Sequence, residues 1–352
     1  MEIQIRKAVM NIPPYHAGKK KSGCIKLSSN ENPFGPSPKA VEAIKAGLSS
    51  LSVYPDKNSL RLKEKLAAVH DIKPSNIIAG NGSDEIFVMT AAAFLEPGEK
   101  ALTGENTFSQ YNFAVTLMGG AMETVPLRDG RFDLTGLSDS VDEKTRMIFI
   151  CNPNNPTGTY VNQYEFDRFI ASIPPNILVI IDEAYADFAD APDFPAVPDL
   201  LRHRNVLVTR TFSKLYGLAG LRIGYGISSS EKIIDAVSRT KQPFNINILA
   251  ETGALAALYD REFREKTIQN NREQKEILYD FFESLKIRFY RSQSNFICFR
   301  ADQGAGYLAG AMEERGINVR PLDSFGMPEW VRLTIGTPEQ NRLFINALED
   351  SI

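Results

Sequence analysis

The sequence predicts an α/β protein: a doubly wound, mostly parallel sheet with a second, smaller α+β domain. Three observations lead there. Runs such as 147–151, 177–181 and 206–209 are apolar throughout, as strands must be when helices cover both faces of a parallel sheet. Helix-length patterns alternate with these runs, the order that βαβ units produce. From residue 241 the pattern changes, and a long polar–apolar helical stretch over 261–285 precedes isolated strand-like runs.

Taken in order, residues 1–35 read as an extended arm. Asn11-Ile-Pro-Pro-Tyr15 and Asn32-Pro-Phe-Gly-Pro36 are rich in residues that break helices and strands. The arm is expected to pack on the smaller domain. Helical stretches follow at 38–51 and 59–70. Within a large domain of residues 36–240, a strand at 76–79 ends in Gly80-Asn81-Gly82. Residues 85–95 are apolar and of helix length, and Pro97-Gly98 stops them. Strands are predicted at 100–103, 122–126, 147–151, 177–181, 206–209 and 223–226. In the smaller domain, 241–352, helix 261–285 is followed by strand 296–299, helix 304–315, strand 331–335 and a closing helix from Pro338.

The chain has 352 residues, 43% hydrophobic and 24% charged, which suits two globular domains with sizeable cores. A net charge of −3 argues against a general nucleic-acid binder, which would be basic. Cys24, Cys151 and Cys298 are far apart, so a reducing compartment fits better than a disulfide framework. His16, His70 and His203 are equally scattered, and no zinc site is expected. Residues 1–10 are charged and lack the apolar core of a signal peptide, and no apolar run is long enough to span a bilayer. A cytoplasmic protein is expected, with neither nucleic acid nor membrane as partner.

Five segments carry chemistry. The first is Thr209-Arg-Thr211-Phe-Ser213-Lys214, followed by Leu218-Ala-Gly-Leu-Arg222. A lysine in an otherwise apolar, Gly-rich turn is costly to desolvate as an ammonium. Such a lysine lowers its pKa and acts as an amine nucleophile or base. The Ser and Thr hydroxyls and Arg222 supply donors for a phosphate; an ordinary surface loop is the other reading. The second is Asp182-Glu-Ala-Tyr185, where Asp182 directly follows the run 177–181. Ligands sit at the carboxyl ends of parallel strands, and a carboxylate there can keep a pyridine nitrogen protonated. Asp182 as a plain helix cap is the alternative. The third, Cys151-Asn-Pro-Asn-Asn155-Pro-Thr-Gly158, fixes a rigid turn that would hold the Asn155 amide in one place. The fourth, Gly80-Asn-Gly82-Ser83-Asp84, sits at a strand-to-helix turn, where backbone N–H groups and a helix N-terminus favour a phosphate. It lacks the third glycine of a dinucleotide fingerprint. The fifth, Thr107-Phe-Ser-Gln-Tyr111, offers an aromatic for stacking, or simply core.

In this order, the segments resemble the fold-type-I aminotransferases that use pyridoxal 5'-phosphate, most closely the histidinol-phosphate aminotransferases. The likeness runs from about Pro14 to Thr337 and includes Leu27-Ser-Ser-Asn30-Glu-Asn32, Tyr54-Pro-Asp and Val331-Arg332-Leu-Thr-Ile-Gly-Thr337. It implies a pyridoxal-phosphate enzyme of histidine biosynthesis that moves an amino group from histidinol phosphate to 2-oxoglutarate. It also implies a homodimer. Related chemistries in the same fold are aromatic or other amino-acid aminotransferases and a threonine-phosphate decarboxylase. By resemblance, Lys214 holds the cofactor covalently and moves the proton. Asp182 partners the pyridine nitrogen, and Asn155 and Tyr185 the phenolic oxygen. Tyr111 stacks on the ring. Ser83, Asp84, Thr211, Ser213 and Arg222 form the phosphate cup, and Tyr54 reaches the neighbouring subunit's cofactor phosphate. Arg332 receives the substrate's anionic group, with Asn155 beside it, while Tyr15 and Arg320 help recognise the substrate phosphate. Two departures stand out. Asn106 occupies a position where that family often has proline, and Tyr15-His16-Ala17-Gly18 replaces its usual Tyr-x-Pro-Gly.

Overall fold

The structure, a computed structural model, describes residues 3–12 and 23–351. Tyr15, expected at the substrate entrance, lies outside the described residues.

After a two-residue strand, β1 (Ile25–Lys26), come the strands of the large sheet: β2 (Ile77–Gly80), β3 (Lys100–Gly104), β4 (Ala121–Val125), β5 (Thr145–Cys151), β6 (Leu178–Asp182), β7 (Val206–Thr211) and β8 (Gly224–Ile227). They lie in the order β2-β8-β7-β6-β5-β3-β4. All neighbours are parallel except around β8, which runs antiparallel to both β2 and β7. The apolar runs become the centre of the sheet, and every residue of β6 is buried. Helices cover both faces, as continuous apolar strands require. Phe149, Phe87 and Tyr111 are among the largest fully buried side chains, and each such burial contributes about 1.5–3 kcal/mol.

The smaller unit holds β9 (Phe289–Tyr290), β10 (Phe296–Arg300), β11 (Ile317–Asn318), β12 (Arg320–Leu322) and β13 (Met327–Thr334). Four of these form an antiparallel sheet in the order β12-β13-β10-β9. The arm joins it through β1, which pairs in parallel with β11, and through Leu27, which enters the second core. The closing helix Pro338–Glu349 starts with a capping box formed by Thr337 and Gln340, with proline at its first position.

The two cores meet along helix Arg261–Ser284. Ile268 packs on the first cluster, while Leu278, Tyr279 and Phe282 belong to the second. Helix Ile248–Ala257 sends Ala250, Ala254 and Ala257 into the first core. On this packing we propose a domain border within helix Arg261–Ser284, later than residue 241. The sequence pattern changed at 241 because the small residues of helix Ile248–Ala257 give little periodic signal. Among the described residues, no helix is long and apolar enough to cross a membrane.

Candidate active site

The strand register places the chemistry. Cys151 at the end of β5 pairs with Asp182 at the end of β6, and Asp182 pairs with Thr209 of β7. Three carboxyl ends therefore open onto one crevice, where open α/β sheets hold ligands. Lys214 follows β7 by one tight turn. Its Nζ lies 3.4 Å from the Ser29 carbonyl, to which it donates, and 5.5 Å from the centre of the Tyr185 ring. Burial, and then the nearby Arg332 charge, lower its pKa to about 8. A lysine so placed is a competent nucleophile and base near neutral pH.

Asp182 is 3% exposed. Its Oδ2 accepts from the Tyr111 hydroxyl at 2.7 Å, and its Oδ1 from the Ala184 N–H at 3.1 Å. Burial pushes it up to about 6, although both hydrogen bonds favour the carboxylate. Burial thus holds this acid close to ionisation near neutral pH.

The stacking role expected of Tyr111 does not fit its placement. Its ring is wholly buried and stacks on Phe149, with centroids 5.0 Å apart and planes 14° from parallel. The edges of Phe87 and Phe108 close around it. No ring face remains for a ligand, and the hydroxyl is spent on Asp182. Phe108, half-buried, is the aromatic of this segment with surface left to offer. Spacing alone could not tell which of the two is walled in.

Asn155 and Tyr185 do come together at the crevice. Asn155 Oδ1 accepts from Arg332 Nη1, and its Nδ2 has no hydrogen-bond partner among the described residues. The Tyr185 hydroxyl accepts from Asn30 Nδ2 at 2.9 Å, and burial pushes its pKa upward. Asn30 is held in turn by Thr334, Asn295 and its own left-handed backbone. Its orienting role was not legible beforehand, because nothing in its neighbourhood in sequence predicts a partner 155 positions away. Arg332 is 7% exposed and also donates to the Ser28 carbonyl at 2.9 Å.

A cradle for an anion sits at the start of helix Gly82–Phe94. Ser83, Thr211 and Ser213 are each 7% exposed, and the Thr211 and Ser213 hydroxyls are 2.9 Å apart. Arg222 reaches over to bond Asp84 at 3.0 Å. The Asp84 carboxylate is therefore occupied by Arg222, so the backbone N–H is what Asp84 offers an anion. Gly82 has φ +78°, and a Cβ there would lie 2.7 Å from Arg222 Nη2. Only glycine leaves the guanidinium its place.

Two expected residues lie further out. Arg320 stands on β12 directly opposite Arg332 on β13, so both side chains leave the same face of the sheet. Tyr54 is 79% exposed, with its ring stacked on Phe244. No hydrogen bond or ring contact joins it to the crevice residues named above.

Comparison with known proteins agrees with this arrangement. Residues 22–348 match the family model for aminotransferase class I and II. A histidinol-phosphate aminotransferase of Moorella thermoacetica is 42% identical, over 98% of this chain and 92% of the relative. One from Caldicellulosiruptor saccharolyticus is also 42% identical, over 98% and 99%. The crystal structure of histidinol-phosphate aminotransferase from Sinorhizobium meliloti, in complex with pyridoxal-5'-phosphate, superposes with a TM-score of 0.88. It is 26% identical, and the match covers 99% of this chain and 97% of that one. With the family model spanning nearly the whole chain and relatives this similar end to end, the protein belongs to the class I and II aminotransferases.

Proposed function

We propose that the chain transfers the amino group of histidinol phosphate to 2-oxoglutarate, with pyridoxal 5'-phosphate as cofactor, giving imidazole acetol phosphate and glutamate. The residues present fit that cofactor. A cradle of backbone N–H groups, hydroxyls and Arg222 suits its phosphate, a buried acid at Asp182 suits its ring nitrogen, and the Lys214 amine suits its aldehyde. When bound, the cofactor supplies an electron-withdrawing ring that stabilises negative charge on the substrate's α-carbon.

The chain's own part is positional and protonic. Lys214 Nζ would be the covalent attachment point and, once free, the base that takes the substrate's α-proton and delivers it to the cofactor's exocyclic carbon. Asp182 would keep the ring nitrogen protonated, with Tyr111 holding its carboxylate. Asn155 Nδ2 and the Tyr185 hydroxyl would take the phenolic oxygen. One observation supports the substrate above the others: the opposed arginines Arg320 and Arg332. Like charges facing each other across a strand pair are unfavourable, and the pair makes sense where a dianion arrives. Arg332 pairs equally with a phosphate or a carboxylate, which lets one site take both a phosphorylated donor and a dicarboxylate acceptor.

The same reading makes the enzyme a cytoplasmic homodimer. Tyr54 stands exposed beside Leu51 and Val53, with Phe244 under its ring. This is the surface a second copy would cover, bringing the hydroxyl to the partner's cofactor phosphate.

Single-turnover kinetics test the substrate. The cofactor-loaded protein is mixed in turn with histidinol phosphate, phenylalanine and tyrosine, and its absorbance is followed. Histidinol phosphate is expected to react with the highest kcat/KM. A faster reaction with either aromatic amino acid would move the chain to a neighbouring specificity.

A further inference from the structure

We propose that Asn106 is a positioning residue for the substrate's anionic end, a phosphate monoester or a carboxylate, and that it acts through the turn Asp323–Phe325. This rests on reading Arg320 and Arg332 as the anion-binding pair.

Asn106 lies in the loop after β3, in the large domain, whereas the turn lies between β12 and β13. Its Nδ2 donates to the Phe325 carbonyl at 2.6 Å, a bond across the domain seam. The amide is braced from behind. The Asn106 carbonyl accepts from Asn154 Nδ2 at 3.1 Å, and Asn154 Oδ1 accepts from the Thr107 hydroxyl at 2.7 Å. Asn154 adjoins Asn155, which already bonds Arg332. In front, the turn reaches both arginines. Ser324 Oγ accepts from Arg320 Nη2 at 3.1 Å, and the Phe325 ring centre lies 6.0 Å from the Arg332 guanidinium. One amide thus fixes the wall that shapes the surroundings of both positive charges.

The outer side of the turn is open, so from the large domain that bond supplements the turn's own Gly326–Asp323 bond and the packing of Phe325. A cavity of about 460 Å³, lined in part by Asn106, Gly326, Met327 and Trp330, borders it. Gly326 closes the turn with φ +72°, and a Cβ there would come within 3.2 Å of Asn106 Nδ2. The chain leaves room at that point for the amide to approach. A loosened turn would let Phe325 and Ser324 drift from the arginines while Lys214 and Asp182 stay in place. The effect belongs in substrate affinity, not in proton transfer.

Asn106→Ala removes the donor. Asn106→Asp keeps the shape and sets an acceptor against the Phe325 carbonyl. For both, KM for histidinol phosphate and for glutamate should rise about 3- to 10-fold with kcat within about twofold, as loss of one hydrogen bond predicts. Hydrogen exchange at the Gly326 amide, now bonded to the Asp323 carbonyl at 2.9 Å, should quicken. A fall in kcat with both KM values unchanged, or unaltered exchange at Gly326, overturns the proposal. Gly326→Ala crowds the same bond from the other side and serves if the Asn106 variants do not fold. Wild type that ignores histidinol phosphate would sink the substrate reading alone, since the exchange and glutamate measurements still judge Asn106.

Discussion

Burial moves Lys214 and Asp182 in opposite directions along the pH axis, and both end close to neutrality. Desolvation penalises the ammonium of one and the carboxylate of the other, so each neutral form gains. Tyr111 is the group that keeps Asp182 from rising further, because its hydroxyl donates to the carboxylate. Tyr111→Phe should therefore raise the Asp182 pKa above about 6. The sign follows from which form the bond favours: without it the protonated acid persists to higher pH, and the charge that would hold a cationic ring is lost over that range. The acidic limb of the kcat/KM profile should shift upward by about one to two pH units, since a hydrogen bond to a buried charge is worth about 1.5–3 kcal/mol. Binding of the cofactor, titrated at pH 6.5, should weaken in parallel. A profile that coincides with wild type would remove Tyr111 from this role. The case also marks where reading by spacing stops. Lys214, Asp182, Asn155 and Arg222 were legible because each is fixed to a strand end or a glycine turn. Tyr111 and Phe108 sit three positions apart, and only packing against Phe87 and Phe149 decides which ring is walled in.

Elements were legible where their burial leaves an unbroken mark. The runs at 147–151, 177–181 and 206–209 became β5, β6 and β7 because helices on both faces demand apolar side chains on both faces. Strand direction leaves no such mark, so β8 looked like its neighbours although it runs against them. The short β12, with Arg-Pro-Leu as its whole length, carried no periodic signal at all, yet its register with β13 creates the arginine pair. That pair allows a prediction with a built-in control. Arg320→Ala leaves Arg332 and its bonds to Asn155 and Ser28 in place. Its KM for the phosphorylated donor should rise about 10- to 100-fold, the loss expected for a charge-assisted contact to a phosphate, while the KM for glutamate changes by no more than about threefold. Steady-state kinetics with each substrate varied in turn decide it. Equal losses for both would mean that Arg320 only supports the hairpin, and no loss would place the phosphate elsewhere.

At the scale of the whole molecule, the crevice is built from two cores and one seam. The large sheet supplies Asp182 and Lys214, and the antiparallel sheet supplies Arg320 and Arg332. The seam is closed by bonds such as Arg332 to Asn155 and the Gln293 N–H to the Gly158 carbonyl. A third contributor is argued by what remains uncovered. Leu48, Leu51, Val53, Tyr54 and Leu60 are each at least 49% exposed, a density of apolar surface within one stretch of chain that usually marks an interface. Because Tyr54 makes no hydrogen bond or ring contact to the crevice residues of its own chain, an effect of Tyr54→Phe on cofactor binding with the stack on Phe244 kept points to a second copy. The variant should sediment as a dimer, like wild type, and bind the cofactor about 10- to 100-fold more weakly, the range for one lost hydrogen bond to a charged phosphate oxygen. Dilution should weaken wild-type binding in the same direction, since mass action couples assembly to the completed site. A wild-type monomer whose cofactor affinity is independent of protein concentration would show that each chain completes its own site and that Tyr54 has no part in it.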